Sequence, residues 1–215
     1  MNEKAGELVL DHIAIRLGTV ELVSLNCSIK PGEVLTVMGP SGSGKSSLLA
    51  YIGGFLDKAF TASGKVFSGE LELTALPAEA RHTGILFQDP LLFPHMSVAG
   101  NIVFAIVPDV KGKAARLKRA EDMLAGVGLA DMGARDPDTL SGGQKARVAL
   151  ARVLVSSPRA LLLDEPFSKL DQTLREQMRA LVFEKAREAG LPVIMVTHDE
   201  ADAVAAGGAI IRVGA

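Results

Sequence analysis

The segment from Val34 to Ile52 constrains this chain more than any other. Val34-Leu35-Thr36-Val37-Met38 is an apolar run, the pattern of a strand covered on both faces in a parallel sheet. Gly39-Pro40-Ser41-Gly42-Ser43-Gly44-Lys45-Ser46 follows at once and fits G-x-x-x-x-G-K-[ST]. Ser46, Ser47 and the apolar residues after them read as a helix ending near Gly53-Gly54. In a strand–loop–helix unit of this kind, glycines let successive backbone N–H groups curl around an anion at the positive end of a helix. Lys45 then reaches β- and γ-phosphates, and the Ser46 hydroxyl ligates Mg²⁺. With both flanking elements legible, a loop that only joins strand to helix is the weaker reading.

Two further motifs follow in fixed order. Leu161-Leu162-Leu163-Asp164-Glu165 is a buried-strand pattern ending in two carboxylates. Asp164 therefore falls at the C-terminal edge of the sheet, where ligands bind in open α/β folds, and is a candidate Mg²⁺ ligand, usually through water. Glu165 has no obvious basic partner in sequence. Upstream lies Leu140-Ser141-Gly142-Gly143-Gln144. Ser141 and Gln144 have capping-box spacing, opening a helix that runs toward Val155. The two glycines strip side chains from its first turn, so backbone N–H groups can approach a second anion. One nucleotide needs one such cradle for its β- and γ-phosphates. A second cradle suggests service to a different copy of the chain.

Around these motifs the pattern alternates strands and helices. Short strands are expected at Leu8–Leu10, Ile13–Ile15 and Cys27–Ile29, with a turn at Lys30-Pro31-Gly32. A second small β region is expected over 64–73, and Gly84–Phe87 returns to the core sheet. Residues 95–157 carry helical signals, among them the basic amphipathic Ala114–Ala125 and the largely apolar Gln144–Val155. The sheet resumes at Ala160–Leu163, Val193–Val196 and Ile210–Val213. A helix from Gln172 to Ala189, capped by Asp171 and stopped by Gly190, lies between the first two. The expected fold is α/β: a P-loop NTPase core with a mostly parallel sheet, a small antiparallel β subdomain and a helical subdomain at about 95–157. Residues 1–215 read as one domain.

Composition narrows the partners. A net charge of -2 gives no general case for nucleic acid, where a basic face is expected. Cys27 is the sole cysteine, so neither an intrachain disulfide nor a cysteine metal site can form, and a reducing compartment is the default. No run of about 18 apolar residues is present to cross a bilayer. The N-terminal MNEKAGELVL does not read as a secretory signal. A membrane role must come through a partner.

The three motifs together resemble the ATP-binding subunit of ATP-binding-cassette (ABC) transporters, from about residue 8 to the C-terminus, most like the compact bacterial importer type without a C-terminal regulatory domain. The resemblance implies ATP and Mg²⁺ as cofactors, and two cassettes paired head to tail. Each ATP is then clamped between the phosphate loop, Gly39–Ser47, of one copy and Ser141-Gly142-Gly143-Gln144 of the other. Glu165 is the implied general base, and Gln88 senses Mg²⁺ and water and faces the membrane partner. Asp171, in Ser168-Lys169-Leu170-Asp171, reaches across the dimer, and His198 contacts the γ-phosphate. The implied partners are a second copy, transmembrane permease subunits and a solute-binding protein, at the cytoplasmic face of the inner membrane. Docking is expected around Gln88 and the apolar stretch Leu91–Val107, for which core packing is an equal alternative. One departure stands out. No Phe, Tyr or Trp precedes Tyr51, so the position where the family stacks an aromatic on adenine falls near Leu17. Base contact is then expected to be apolar packing rather than stacking, and strict preference for ATP over GTP is not implied. A soluble ABC ATPase acting on nucleic acid or ribosomes would carry coiled-coil insertions or a second cassette, and an exporter cassette is often fused to its membrane domain. A P-loop kinase or GTPase needs no helix of the Leu140–Gln144 kind.

Overall fold

The computed structural model describes residues 6–214. Residues 1–5, half of the N-terminal MNEKAGELVL, lie outside them. In chain order the first elements are β1 (Leu8–Leu17), β2 (Val20–Ile29), β3 (Val34–Met38), α1 (Lys45–Gly53), β4 (Phe60–Ser68) and β5 (Leu71–Glu72). Then come α2 (Ala78–Arg81), β6 (Thr83–Leu86), α3 (Val98–Ala105), α4 (Lys113–Gly126) and α5 (Gly142–Val155). The chain ends with β7 (Ala160–Asp164), α6 (Gln172–Glu188), β8 (Val193–Thr197), α7 (Glu200–Ala206) and β9 (Ala209–Arg212). This is the expected α/β fold. It divides into two compact units, the first made of residues 6–85, 158–165 and 183–214. The second holds 86–157 and 166–182.

The first unit contains both sheets. The parallel sheet runs in the order β6-β7-β8-β3-β9. All five residues of β3 and of β8 are buried, which is why their sequences read as continuous apolar runs rather than alternating ones. The second sheet has the order β2-β1-β4-β5 and is antiparallel. Leu8, Leu10, Ile13 and Ile15 of β1 join Val37, Leu48, Ile52, Leu162 and Val196 in one apolar core.

One strand expectation is corrected. The apolar pairs at Leu8/Leu10 and Ile13/Ile15 belong to one ten-residue strand, not two short ones. Their spacing breaks a two-residue period, and a bulge between Leu10 and Ile13 absorbs the extra residue, with His12 at φ 49. Opposite the bulge, a Cβ on Gly64 (φ 94) would meet the Asp11 carbonyl oxygen at 2.6 Å, so only glycine fits there. The β region expected over 64–73 is present as β4 and β5, with β4 starting earlier, at Phe60, and pairing along β1.

In the second unit, α3, α4 and α5 fall within the stretch expected to be helical. Asn101, fully buried on α3, bonds the backbone of Phe93 in both directions at 2.8 and 3.1 Å. Arg116 reaches the carbonyls of Val103 and Ile106 at 2.9 and 3.0 Å, satisfying the end of α3.

The first unit uses the same device on α1. Arg81, 8% exposed, donates to the carbonyls of Tyr51 and Ile52 at 2.6 and 3.0 Å and to Leu76 at 2.9 Å. Arg81→Ala strips these charge-assisted bonds from the helix that carries the phosphate loop. It is expected to cost about 3 kcal/mol, read as a lower urea midpoint with an unchanged denaturant slope.

Candidate functional site

Strands β7, β8 and β3 are neighbours and parallel, so their C-terminal ends share one edge. Each delivers the chain to a loop that carries chemistry: Glu165 after β7, His198 after β8, and the phosphate loop after β3.

Helix α1 opens with Lys45 and has no acidic residue in its first turn, where a carboxylate would be favoured. Its N-cap, Gly44 (φ 86), supplies no side-chain cap. That end of the helix dipole is arranged for an anion from elsewhere. Gly44 is also required sterically, since a Cβ there would meet Leu22 Cβ at 2.8 Å and Val23 Cγ2 at 3.0 Å. Lys45 is 5% exposed, and its ammonium donates to the Gly39 and Pro40 carbonyls, both at 2.8 Å. The buried Ser43 hydroxyl has no partner, which leaves a polar group for a ligand to satisfy. Backbone cradle, ammonium and orphaned hydroxyl together fit a polyphosphate.

Ser46 Oγ donates to Asp164 Oδ1 at 2.9 Å, joining residues 118 apart in sequence. Burial pushes the Asp164 carboxyl up; the Ser46 bond opposes this, the Glu165 charge adds to it and Lys45 opposes it. A cation would offset that cost. A hydroxyl and a carboxylate are hard oxygen donors, which suits Mg²⁺. Among the described residues no group of three His, Cys, Asp or Glu could hold a metal. Such an ion would take its remaining ligands from water and phosphate, as Mg²⁺ commonly does.

Glu165 stands at φ 45, a conformation that costs a non-glycine residue about 1 kcal/mol or more. Its N–H donates to the Val196 carbonyl at 3.0 Å, and its Oε1 lies 3.1 Å from His198 Nδ1. The sequence offered Glu165 no basic partner. The structure supplies one 33 residues away, because β7 and β8 are adjacent. The residues on either side of His198 are tied down: Thr197 Oγ1 donates to the buried Asp202 at 3.2 Å, and Asp199 caps α7 through the Ala201 N–H at 2.7 Å. Thr197, Asp199 and Asp202 lie outside the motifs read from the sequence. An Asp directly before a helical Ala/Val pattern, Asp199, is the signal that finds them.

Beside the phosphate loop is a cavity of about 370 Å³ whose large apolar lining residues are Leu17, Leu22 and Phe60. One of these three residues is aromatic. Phe60 lies after the phosphate loop in sequence, but the β1–β4 register sets it opposite Leu17.

The remaining candidates lie in the second unit. Ser141 caps α5 with the complete capping box: Gln144 N–H to Ser141 Oγ at 3.3 Å, and Ser141 N–H to Gln144 Oε1 at 2.9 Å. A Cβ on Gly143 would meet Leu174 Cδ2 at 3.0 Å, so packing accounts for that glycine. Gly142 is different. A Cβ there meets nothing within 4 Å, and its φ is not positive. Neither packing nor backbone conformation demands glycine at 142. Asp171 caps α6 through the Leu174 N–H at 3.0 Å. Gln88 is exposed and, with Phe87, Pro90, Gly142, Ala146 and Pro166, lines an apolar cavity of about 160 Å³. The Leu91–Val107 stretch divides: Ile102 and Ile106 are core, whereas Leu91 and Phe104 are 59% and 63% exposed. Arg152 donates to the Leu91 carbonyl at 2.8 Å and stacks over Phe93, 5.5 Å from its centroid. No helix among the described residues is long and apolar enough to cross a membrane.

A family profile described as ABC transporter matches residues 22–168. The chain is 43% identical over 196 residues to YnjD of Escherichia coli, described as an uncharacterized ABC transporter ATP-binding protein; the match covers 91% of this chain and 90% of that one. It is 42% identical over 209 residues to the Fe(3+) ions import ATP-binding protein FbpC of Rhizobium etli. That match covers 97% of this chain but 58% of the relative, so the chain spans little more than half of FbpC. Among solved structures it resembles the ATP-binding cassette MJ0796, seen as a dimer in a post-hydrolysis state bound to ADP and Pi. The TM-score is 0.77 and the identity 31%, over 96% of this chain and 94% of that one.

The raised Asp164 carboxyl makes a pH prediction. Folding favours its protonated form, so its contribution to stability is present at acid pH and lost as pH rises through the folded value. In chelator, Asp164→Asn should therefore melt above the parent chain at pH 7, and the gap should close as the pH falls below the ordinary Asp range.

Proposed function

The chain belongs to the ABC transporter family and is an ATPase of its ATP-binding kind; we propose that it is the subunit that drives a membrane importer through separate transmembrane partners. The observation that carries this reading is the convergence of Lys45, Ser46, Asp164, Glu165 and His198 at the ends of three adjacent strands.

In this reading Gly39–Ser47 hold the β- and γ-phosphates of ATP, with the Lys45 ammonium opposing the charge that develops as the phosphoryl leaves. Ser46 and Asp164 would hold Mg²⁺, the family resemblance adds Gln88 as a ligand, and water and phosphate would complete the shell. When bound, the ion would neutralise charge between the β- and γ-oxygens. Glu165 accepts the proton of the attacking water. Its strained backbone and the His198 contact at 3.1 Å fix the carboxylate before substrate arrives. His198, mostly exposed on its outer side, is left to meet the γ-phosphate.

Ser141-Gly142-Gly143-Gln144 and Asp171 complete the site of a second copy in a head-to-tail dimer. Gly142, glycine without any reason inside its own chain, supports this. So does the dimeric state of the MJ0796 cassette. The whole chain acts as a single cassette with a helical subdomain at about 95–157, peripheral to the cytoplasmic face of the inner membrane. The exposed Leu91 and Phe104 face the permease subunits, and a solute-binding protein delivers cargo to those subunits. Import is favoured over export by the named role of FbpC. The net charge of -2 gives nucleic acid no general purchase.

Glu165→Gln should bind ATP, hydrolyse it slowly and elute as a dimer in saturating ATP and Mg²⁺; a monomeric elution volume there would sink the paired-site reading. Lys45→Ala should lose nucleotide binding altogether. Ser141→Arg should abolish hydrolysis while the monomer keeps its ATP affinity, and a large loss of that affinity in calorimetry would place Ser141 in its own copy's site.

A further inference from the structure

The apolar lining of the phosphate-loop cavity has a composition of its own. Register pairs Leu17 with Val20 on β2 and with Phe60 on β4. Directly opposed residues share a sheet face, so Val20, Leu17 and Phe60 stand abreast. Val20 and Leu17 are 59% and 47% exposed, and Phe60 is half-buried. Three large apolar side chains in a row are costly to leave in water. The row is also pinned to the phosphate loop. Leu22 packs so closely on Gly44 that a methyl group there would not fit. The polar residues lining the cavity, Ser41, Lys45, Ser46, Ser47 and Glu165, belong to the phosphate loop or to the carboxylate after β7. Leu17, Leu22 and Phe60 carry no hydrogen-bonding group. A ligand suited to this cavity has phosphates at one end and a flat, largely apolar ring at the other.

We propose that Phe60, supported by Leu17, is the platform on which the nucleotide base stacks, and that the site consequently accepts ATP and GTP with affinities within about tenfold of each other. Discrimination of four or five orders of magnitude requires buried polar groups that the wrong base leaves unpaired. A wall of Leu17, Leu22 and Phe60 has none. Base stacking on an aromatic is worth about 1–3 kcal/mol by truncation. Removing the Phe60 ring should thus weaken nucleotide binding by roughly tenfold or more. The proposal rests on the phosphate loop binding a nucleoside triphosphate.

The test uses the full chain with Mg²⁺ and three probes: ATP, GTP and inorganic tripolyphosphate. Phe60→Ala should weaken ATP and GTP by about tenfold and leave tripolyphosphate unchanged. An equal loss for all three would make Phe60 merely structural, and no loss for ATP would remove it from the site. In the parent chain, GTP bound more than a hundredfold less tightly than ATP would overturn the selectivity claim. Failure of the parent chain to bind either ATP or tripolyphosphate would instead sink the phosphate-loop reading itself. Should Phe60→Ala not fold, Phe60→Trp serves. The chain has no Trp, so the new indole reports alone, and its emission should be quenched by ATP and GTP but not by tripolyphosphate. Emission indifferent to all three would overturn the platform.

Discussion

The in-register parallel pairing of β3, β7 and β8 is the constraint on which the first unit depends. Val37 and Asp164 both pair with Val196, so the three strands run out of ladder within a residue or two of one another. The loops that follow cannot avoid one another. Because the strands are buried on nearly every side chain, a slip of one residue has no compensating face to expose. The register is therefore rigid, and the 2.9 Å bond from Ser46 to Asp164 and the 3.1 Å contact of Glu165 with His198 inherit that rigidity. The left-handed backbone at Glu165 is tolerated for the same reason: its N–H is tied to Val196, and the surrounding sheet overdetermines the turn.

Helix starts show the complementary principle. α1 and α5 both lack the acidic first turn that helices favour, and both place residues of poor helix propensity or unhelpful charge there. Lys45 at the positive end of α1 and Gly142-Gly143 at the start of α5 each work against the helix they open. In both helices nearby interactions carry the cost of the poor first turn. For α1 the interaction is the Arg81 clamp on its far end. For α5 it is the reciprocal Ser141–Gln144 cap.

Much of this was legible in the sequence because it is local. A strand–loop–helix unit, a capping box and an N-cap at Asp171 are fixed by residues within a few positions of one another, and each was found where the spacing put it. What escaped the sequence was set by pairing across strands. The extra residue at the β1 bulge made one strand look like two. His198 became the partner of Glu165 only through the adjacency of β7 and β8. Phe60 came to face the phosphate loop only through its register with Leu17, and no reading confined to the segment before that loop could have placed an aromatic there.

The sequence by itself determined the groups at hand: a glycine-rich loop between strand and helix, a lysine, a hydroxyl and a carboxylate at a sheet edge, and a second glycine-opened helix. Those are properties of short segments and of backbone geometry, which travel with the residues. Only the tertiary structure decided which groups act together and what surrounds them. Distances of 3 Å between residues 33 and 118 positions apart arise from strand order and register, and those are fixed by burying a whole sheet at once rather than by any one segment.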